Sequence, residues 1–104
     1  MPRSQFQTLT EQMFYILLCL EQELCGADIA SRVAEITRGR VSVGPGTLYN
    51  LLDSFLHAGM IEETKVEGRR RSYRITKAGR QALEEESRRL MTLVEDYRTY
   101  YREG

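Results

Sequence analysis

Apolar and polar positions alternate along this chain in blocks of different period. Met13, Phe14, Ile16, Leu17, Leu18, Leu20 and Leu24 cover more than a narrow helical stripe, so a helix here has much of its circumference buried. Ahead of it, Thr8-Leu9-Thr10-Glu11 has the Thr-x-x-Glu spacing of a capping box and predicts the helix start. Cys25-Gly26 breaks the pattern. Ile29, Ala30, Val33, Ala34 and Ile36 then recur at helical spacing behind Asp28, predicting a second helix over roughly 27–37. Arg38-Gly39-Arg40 ends it. Val41-Ser42-Val43 alternates like a very short strand before Gly44-Pro45-Gly46.

A third helix is predicted from this point, because proline at the first helical position loses an N–H that had no partner there. Leu48, Leu51, Leu52, Phe55 and Leu56 repeat at three and four and define its buried face. Tyr49, Asn50, Asp53, Ser54 and His57 lie opposite, and Gly59 supplies a left-handed stop. The stretches 60–67 and 72–76 read as two strands around Gly68-Arg69-Arg70-Arg71, a hairpin with a basic tip. Gly79 separates the second strand from a final segment of 23 residues, Arg80 to about Arg102, which as a helix spans roughly 34 Å. Within it Leu83, Leu90 and Tyr97 stand seven apart, and Leu93 and Tyr100 form a second series that Glu86 interrupts. One small domain does not easily cover such a stripe, which points to a partner helix.

The fold class expected is therefore mainly α with a small β-hairpin: a winged helix-turn-helix over residues 1–79 and a C-terminal dimerisation helix over 80–104, packed as one unit. The length of 104 residues, 41% of them hydrophobic and 29% charged, fits one domain. The longest apolar run, Met13 to Leu20, is far short of the ~20 residues of a membrane helix. Met1-Pro2-Arg3 does not lead into a secretory hydrophobic region, so the expected location is the cytoplasm. Cys19 and Cys25 lack CxxC spacing and fit a reducing compartment. His57 has no companions for a metal, and no GxSxG, Walker or GxGxxG pattern occurs, so neither a cofactor nor an enzyme is expected.

Fifteen Lys/Arg balance fifteen Asp/Glu, which excludes polyanion binding through bulk charge. Locally the balance differs. Residues 38–80 carry nine Lys/Arg and four Asp/Glu, or +5, against −3 for residues 1–37 and −2 for 81–104. Clustered cations can displace counterions from a phosphate backbone although the whole chain is neutral. The third helix and hairpin are read as holding this charge. A helix fits the major groove, whereas a basic tip follows phosphates or an adjacent minor groove. Pro45, Gly46, Thr47, Tyr49 and Asn50 at the helix start, with Lys65, Arg69, Arg70, Arg71 and Tyr73 on the hairpin, are the candidate DNA contacts. Asn50 alone among the helix candidates has the amide for bidentate adenine recognition, and the glycines allow close backbone approach. The helix alone also fits a solvated face over a core stripe, and an arginine triplet alone fits a solvated turn. Their juxtaposition favours nucleic acid.

Three separated motifs strengthen this reading: Gly46-Thr47-Leu48-Tyr49-x-Leu51-Leu52, then Leu56-x-x-Gly59-Met60-Ile61, then Gly68-Arg69-Arg70-Arg71-x-Tyr73-x-Ile75-Thr76-x-x-Gly79. Over roughly Thr10 to Ala82 the chain resembles the PadR (phenolic acid decarboxylase regulator) family, in its short form with a single C-terminal helix. The sequence departs from a common family pattern at Asn50, where many members have proline, and at Cys25-Gly26-Ala27, where His-Gly-Tyr is frequent. The resemblance implies a dimeric winged-helix DNA-binding protein, commonly a repressor, whose last helix forms the dimer.

Leu83, Leu90, Leu93, Val94, Tyr97, Tyr100 and Tyr101 are the expected dimer contacts. Two recognition helices held about one DNA turn apart, roughly 34–36 Å, call for a near-palindromic operator. Phe6, Phe14, Tyr15, Tyr97 and Tyr100 could together form an aromatic-walled pocket for an aromatic or hydrophobic effector, as short-form relatives imply; ordinary interface packing is the alternative. Cys19 is read as a small buried hydrophobe and Cys25 as the more exposed thiol, with a redox role in second place. A winged-helix module that binds a protein rather than DNA is the competing function.

Overall fold

The computed structural model describes residues 8–102. Helix α1 spans Glu11–Cys19 and begins one residue after Thr10 rather than at Thr8. The Thr10 hydroxyl accepts from the Met13 N–H at 3.1 Å, and the Thr10 N–H donates to the Met13 sulfur at 3.4 Å. Methionine thus completes the cap that was expected of Glu11. The helix also ends early. Leu20, Glu21 and Gln22 donate back three residues, to Leu17, Leu18 and Cys19, and Leu24–Cys25 forms strand β1. Leu24 continues the apolar spacing of α1, but its backbone pairs with a strand about fifty residues away, a demand that local periodicity does not carry.

Helix α2, Gly26–Ile36, closes with Arg38 in the left-handed region, φ 54°, and Gly39 donating to Ala34 O at 2.8 Å. This arrangement satisfies the last carbonyls. Val41 and Val43 are buried with Ser42 outward, yet they do not form the very short strand that their alternation suggested; the third strand of the sheet is β1. Helix α3, Pro45–His57, starts with proline at its first position and stops at Gly59, φ 74°, where the Met60 N–H reaches Phe55 O at 2.9 Å.

Strands β2 (Ile61–Glu67) and β3 (Arg70–Ile75) form the wing, and the antiparallel sheet order is β1-β3-β2. Leu24 pairs with Tyr73 and Cys25 with Ser72, and β2 carries an irregularity between Glu63 and Lys65. Helix α4 begins at Lys77, runs to Tyr97 and passes into a π-helical turn, Arg98–Arg102. Gly79 therefore lies inside the helix rather than before it. Thr76 caps it, accepting from the Gly79 N–H at 3.2 Å.

The core gathers Ile16 and Leu17 from α1, Leu20 just after it, Ile29 and Val33 from α2, and Leu52 and Phe55 from α3, all essentially inaccessible. The Ile75 N–H donates to Leu20 O at 2.8 Å, fixing β3 to the end of α1, and the Arg80 guanidinium donates to the Glu21 carboxylate at 3.2 Å. Leu83 is only 9% exposed and Glu86 1%, the latter paired with Arg89. Both belong to the inner face of α4, so Leu83 serves the chain's own core rather than the outer seam. Beyond them α4 leaves the body, and the described chain measures 58 × 34 × 21 Å.

Candidate nucleic-acid interface

The start of α3 is open. Its N-cap, Gly44, supplies no side-chain hydrogen bond, and Pro45, Gly46, Thr47, Tyr49 and Asn50 are all exposed. A Cβ added at Gly44 or Gly46 would have no neighbour within 4 Å, so neither glycine answers to a packing constraint within the chain. Contrary to the sequence expectation, α3 carries no Lys or Arg; its one formal charge is Asp53. Basic charge lies instead on the wing and the beginning of α4, with Arg38 and Arg40 in the turn after α2.

The wing turns at Gly68, φ 62°, and Arg69, while Arg70 and Arg71 already belong to β3. Arg70 lies 3.9 Å from Asp28, Arg71 3.4 Å from Glu63, and Arg74 3.9 Å from Glu62. Such surface pairs contribute ~0–1 kcal/mol and exchange partners readily. Among the described residues Arg69 has no ion pair. Lys65 is exposed on β2.

Wing and third helix meet across a cleft of about 390 Å³ lined by Cys25 from the end of β1, Gly26 and Ala27 from α2, Tyr49 and Asp53 from α3, and Arg69, Arg70, Arg71 and Tyr73 from the wing. The arginine triplet therefore shares a surface with Tyr49. Asn50, one residue on, is exposed but does not line the cleft. Tyr49 lies over the start of α2, where a Cβ on Gly26 would meet its ring and hydroxyl at 3.2 Å. Gly26 is thus a close-approach glycine, whereas the sequence marked it only as a break.

Tyr73 was expected to touch DNA, yet it is 4% exposed. Pairing with Leu24 on one side and Glu63 on the other places it at the centre of the sheet. Burial raises its phenol above the ordinary tyrosine range, and Glu63 adds to the shift while Arg71 opposes it. Asp28, which the sequence reading used only to mark a helix start, faces the wing through Arg70.

Both cysteines are free and buried, Cys25 at 9% exposure against 5% for Cys19. Burial pushes the Cys19 thiol up to about 11, opposed by Arg32. His57 is exposed, and no metal-holding group of His, Cys, Asp and Glu occurs among the described residues. No described helix is long and apolar enough to cross a membrane.

A second cavity, about 350 Å³, is lined by Leu9, Thr10, Glu11, Phe14, Tyr15 and Leu90. Phe14 and Tyr15 meet edge to face at 5.5 Å. Arg40 lies 5.8 Å over the Tyr15 ring, donates to its hydroxyl at 3.0 Å and pairs with Glu11. Tyr97 and Tyr100 do not line this cavity; Tyr97 stacks on Tyr101 at 5.1 Å, and Phe6 lies outside the described residues. Leu90, Met91, Leu93, Val94 and Tyr97 are exposed along the outer part of α4, and Tyr100 and Tyr101 on the π-helical turn that follows it.

A family model, "Transcriptional regulator PadR-like family", matches residues 16–85. The transcriptional regulator Rv3488 of Mycobacterium tuberculosis is 35% identical over 95 residues, covering 88% of this chain and 86% of that protein. Among solved structures, a PadR-like transcription factor from Bacteroides fragilis superposes with a TM-score of 0.71 at 25% identity, covering 85% of this chain and 87% of that one. Bacillus subtilis PadR in complex with operator DNA superposes with a TM-score of 0.64 at 26% identity, covering 73% of this chain and 47% of that one.

Proposed function

Because the chain belongs to the transcriptional regulator PadR-like family, we propose that it is a dimeric repressor that reads a near-palindromic operator with α3, grips phosphates with its wing, and is released by a small aromatic or hydrophobic effector. The family and its relatives are regulators of transcription, not enzymes. The observation that carries the reading is the shared cleft of Tyr49 with Arg69, Arg70 and Arg71, since a groove-entering helix needs its phosphate clamp on the same side. With no cation on α3, base contacts fall to Pro45, Gly46, Thr47, Tyr49 and Asn50, and affinity to Lys65 and the arginines. Tyr73 then acts from beneath, shaping the wing.

The exposed face Leu90, Leu93, Val94, Tyr97, Tyr100 and Tyr101 suits a second copy of α4, because apolar surface on a protruding helix gains from burial. The dimer would separate the two α3 helices by one DNA turn. The cavity at Phe14 and Tyr15 opens beside Leu90, so a second protomer would help close it. This assigns the effector to the junction of α1 and α4, in the cytoplasm where the operator lies.

Selection of bound DNA fragments, repeated with Arg69, Arg70 and Arg71 changed to alanine, tests the proposal. Uniform loss of affinity across sequences, with the salt dependence reduced by roughly three phosphate contacts, is expected of a clamp. A changed sequence preference would make the arginines base readers. Wild-type binding without salt dependence, or no enriched fragment at all, would overturn the DNA reading in favour of a protein partner.

A further inference from the structure

The cavity between α1 and α4 already holds a cation at its rim. Glu11 and Tyr15 stand four residues apart on one face of α1, and both line it. Arg40 reaches these two residues from the turn after α2. It pairs with the Glu11 carboxylate, donates to the Tyr15 hydroxyl at 3.0 Å and lies 5.8 Å over the Tyr15 ring. A carboxylate and an aromatic ring converging on one guanidinium suit a planar cation. The chain thus displays, with its own side chain, the chemistry that this rim accepts.

Arg40 is held there by contacts that exchange easily. Both members of its pair with Glu11 are more than half exposed, and ion pairs and cation–π contacts are weak at such sites. Its turn is fastened without it: the Thr37 hydroxyl accepts from the Val41 N–H at 3.1 Å and donates to Val33 O at 2.8 Å, while Val41 and Val43 are buried. Behind the rim, Leu9, Phe14 and Leu90 wall the cavity of about 350 Å³, room for an aromatic ring. Glu11 is the one formal charge among the described lining residues. A ring with a cationic head therefore gains the contacts that Arg40 makes and buries apolar surface as well. An anionic head reaching for Arg40 would stand beside the Glu11 carboxylate, a like-charge contact that opposes binding.

We propose that this cavity takes an aromatic cation of the arylamidinium type, whose head displaces Arg40 from Glu11 and from the Tyr15 ring. Arg40 is then a built-in competitor that sets the charge preference of the site. The cavity is the one assigned above to the effector, and the regulatory meaning of its ligand rests on that reading; the ligand's charge and its competition with Arg40 do not.

Amide NMR titration of the full chain with benzamidine, benzamide and benzoate tests the site, because the three share one shape and carry a positive, a neutral and a negative head. Signals of Glu11, Phe14 and Tyr15 are expected to move, with benzamidine binding about fivefold more tightly than benzamide and benzoate weakest. Arg40→Ala removes the competitor, so it is expected to tighten benzamidine about fivefold and to leave benzamide unchanged. A merely structural Arg40 would produce no such gain. Glu11→Gln keeps the size of the side chain and is expected to erase most of the preference for benzamidine over benzamide. Benzoate binding as tightly as benzamidine overturns the proposal, as does benzamidine binding that Arg40→Ala weakens or leaves unchanged. Movement only away from these three residues, or none with any of the compounds, does the same. An unaltered preference in Glu11→Gln also overturns it, which keeps the test decisive if Arg40→Ala does not fold. If benzamidine binds as described and operator affinity stays the same, the site stands and the effector role fails. If aromatic compounds lower operator affinity without regard to charge, the effector role stands and the cation site fails.

Discussion

Changing Gly79 to alanine tests how α4 is seated on the wing. By helix propensity alone the change is favourable, since alanine inside a helix gains ~1 kcal/mol over glycine. The surroundings reverse the sign. An added Cβ would stand 2.1 Å from the Met60 carbonyl oxygen and 2.7 Å from Ile75 Cγ1. The carbonyl cannot simply withdraw, because it accepts from the Thr76 N–H at 3.0 Å, and Thr76 in turn donates to Gly59 O at 2.6 Å. Overpacking costs ~1–3 kcal/mol, and the strained backbone bond adds ~1 kcal/mol. Less the propensity gain, a net loss of about 1–3 kcal/mol is expected. For a domain of this size each kcal/mol lowers the melting temperature by ~4–8 °C. Denaturant unfolding of Gly79→Ala beside Gly46→Ala is the assay, because Gly46 has open space where its Cβ would go and that variant should hold or gain stability. Equal or greater stability of Gly79→Ala would refute the close-approach argument. In the proposed dimer a shift of α4 would also change the distance between the two α3 helices, so Gly79→Ala is expected to weaken operator binding even where the variant remains folded.

Val94→Asp puts a charge on the exposed apolar face of α4 and should leave a folded monomer with weakened operator binding; a wild-type chain that sediments as a stable monomer at micromolar concentration removes the dimer. The Cys19 thiol, raised to about 11 from 9.0, is protonated in the fold where the unfolded chain ionises. Its contribution to stability is therefore complete below pH 9 and is lost as the pH rises from about 9 to 11, by ~2–3 kcal/mol. Urea midpoints measured across that range should fall, and Cys19→Ala should flatten this fall; an equal slope in both proteins would contradict it. Aromatic compounds that lower operator affinity should lose their effect in Tyr15→Ala, and a panel without any effect on wild-type affinity would remove the effector.

Legibility followed the range of the interactions involved. Helices α2 and α3 were readable to within two residues because spacing of apolar residues, proline at a first position and glycine at a stop are local signals. The β1 strand was missed because Leu24 and Cys25 owe their extended form to Tyr73 and Ser72, far along the chain. Val41 and Val43 show the converse error: their alternation reported two buried side chains correctly but said nothing about a pairing strand. Glu86 looked like a flaw in an outer seam, whereas it lies on the buried face of α4 beside its partner Arg89. In the interface, the arginine triplet was conspicuous as a charge run, and Gly26 and Asp28 were legible as a break and a helix start, but the close approach of Tyr49 to Gly26, the pairing of Asp28 with Arg70 and the buried position of Tyr73 left no mark in one dimension.

Local order along the chain was sufficient for the winged-helix class, the position of the wing and the uneven distribution of a neutral total charge, since each depends on residues close in sequence. Only the folded chain could bring the start of α2, the exposed side of α3 and the wing arginines around one cleft, and separate the inner from the outer face of α4. Those relations depend on backbone pairing and packing between distant segments, where free energy is gained only once both partners are in place.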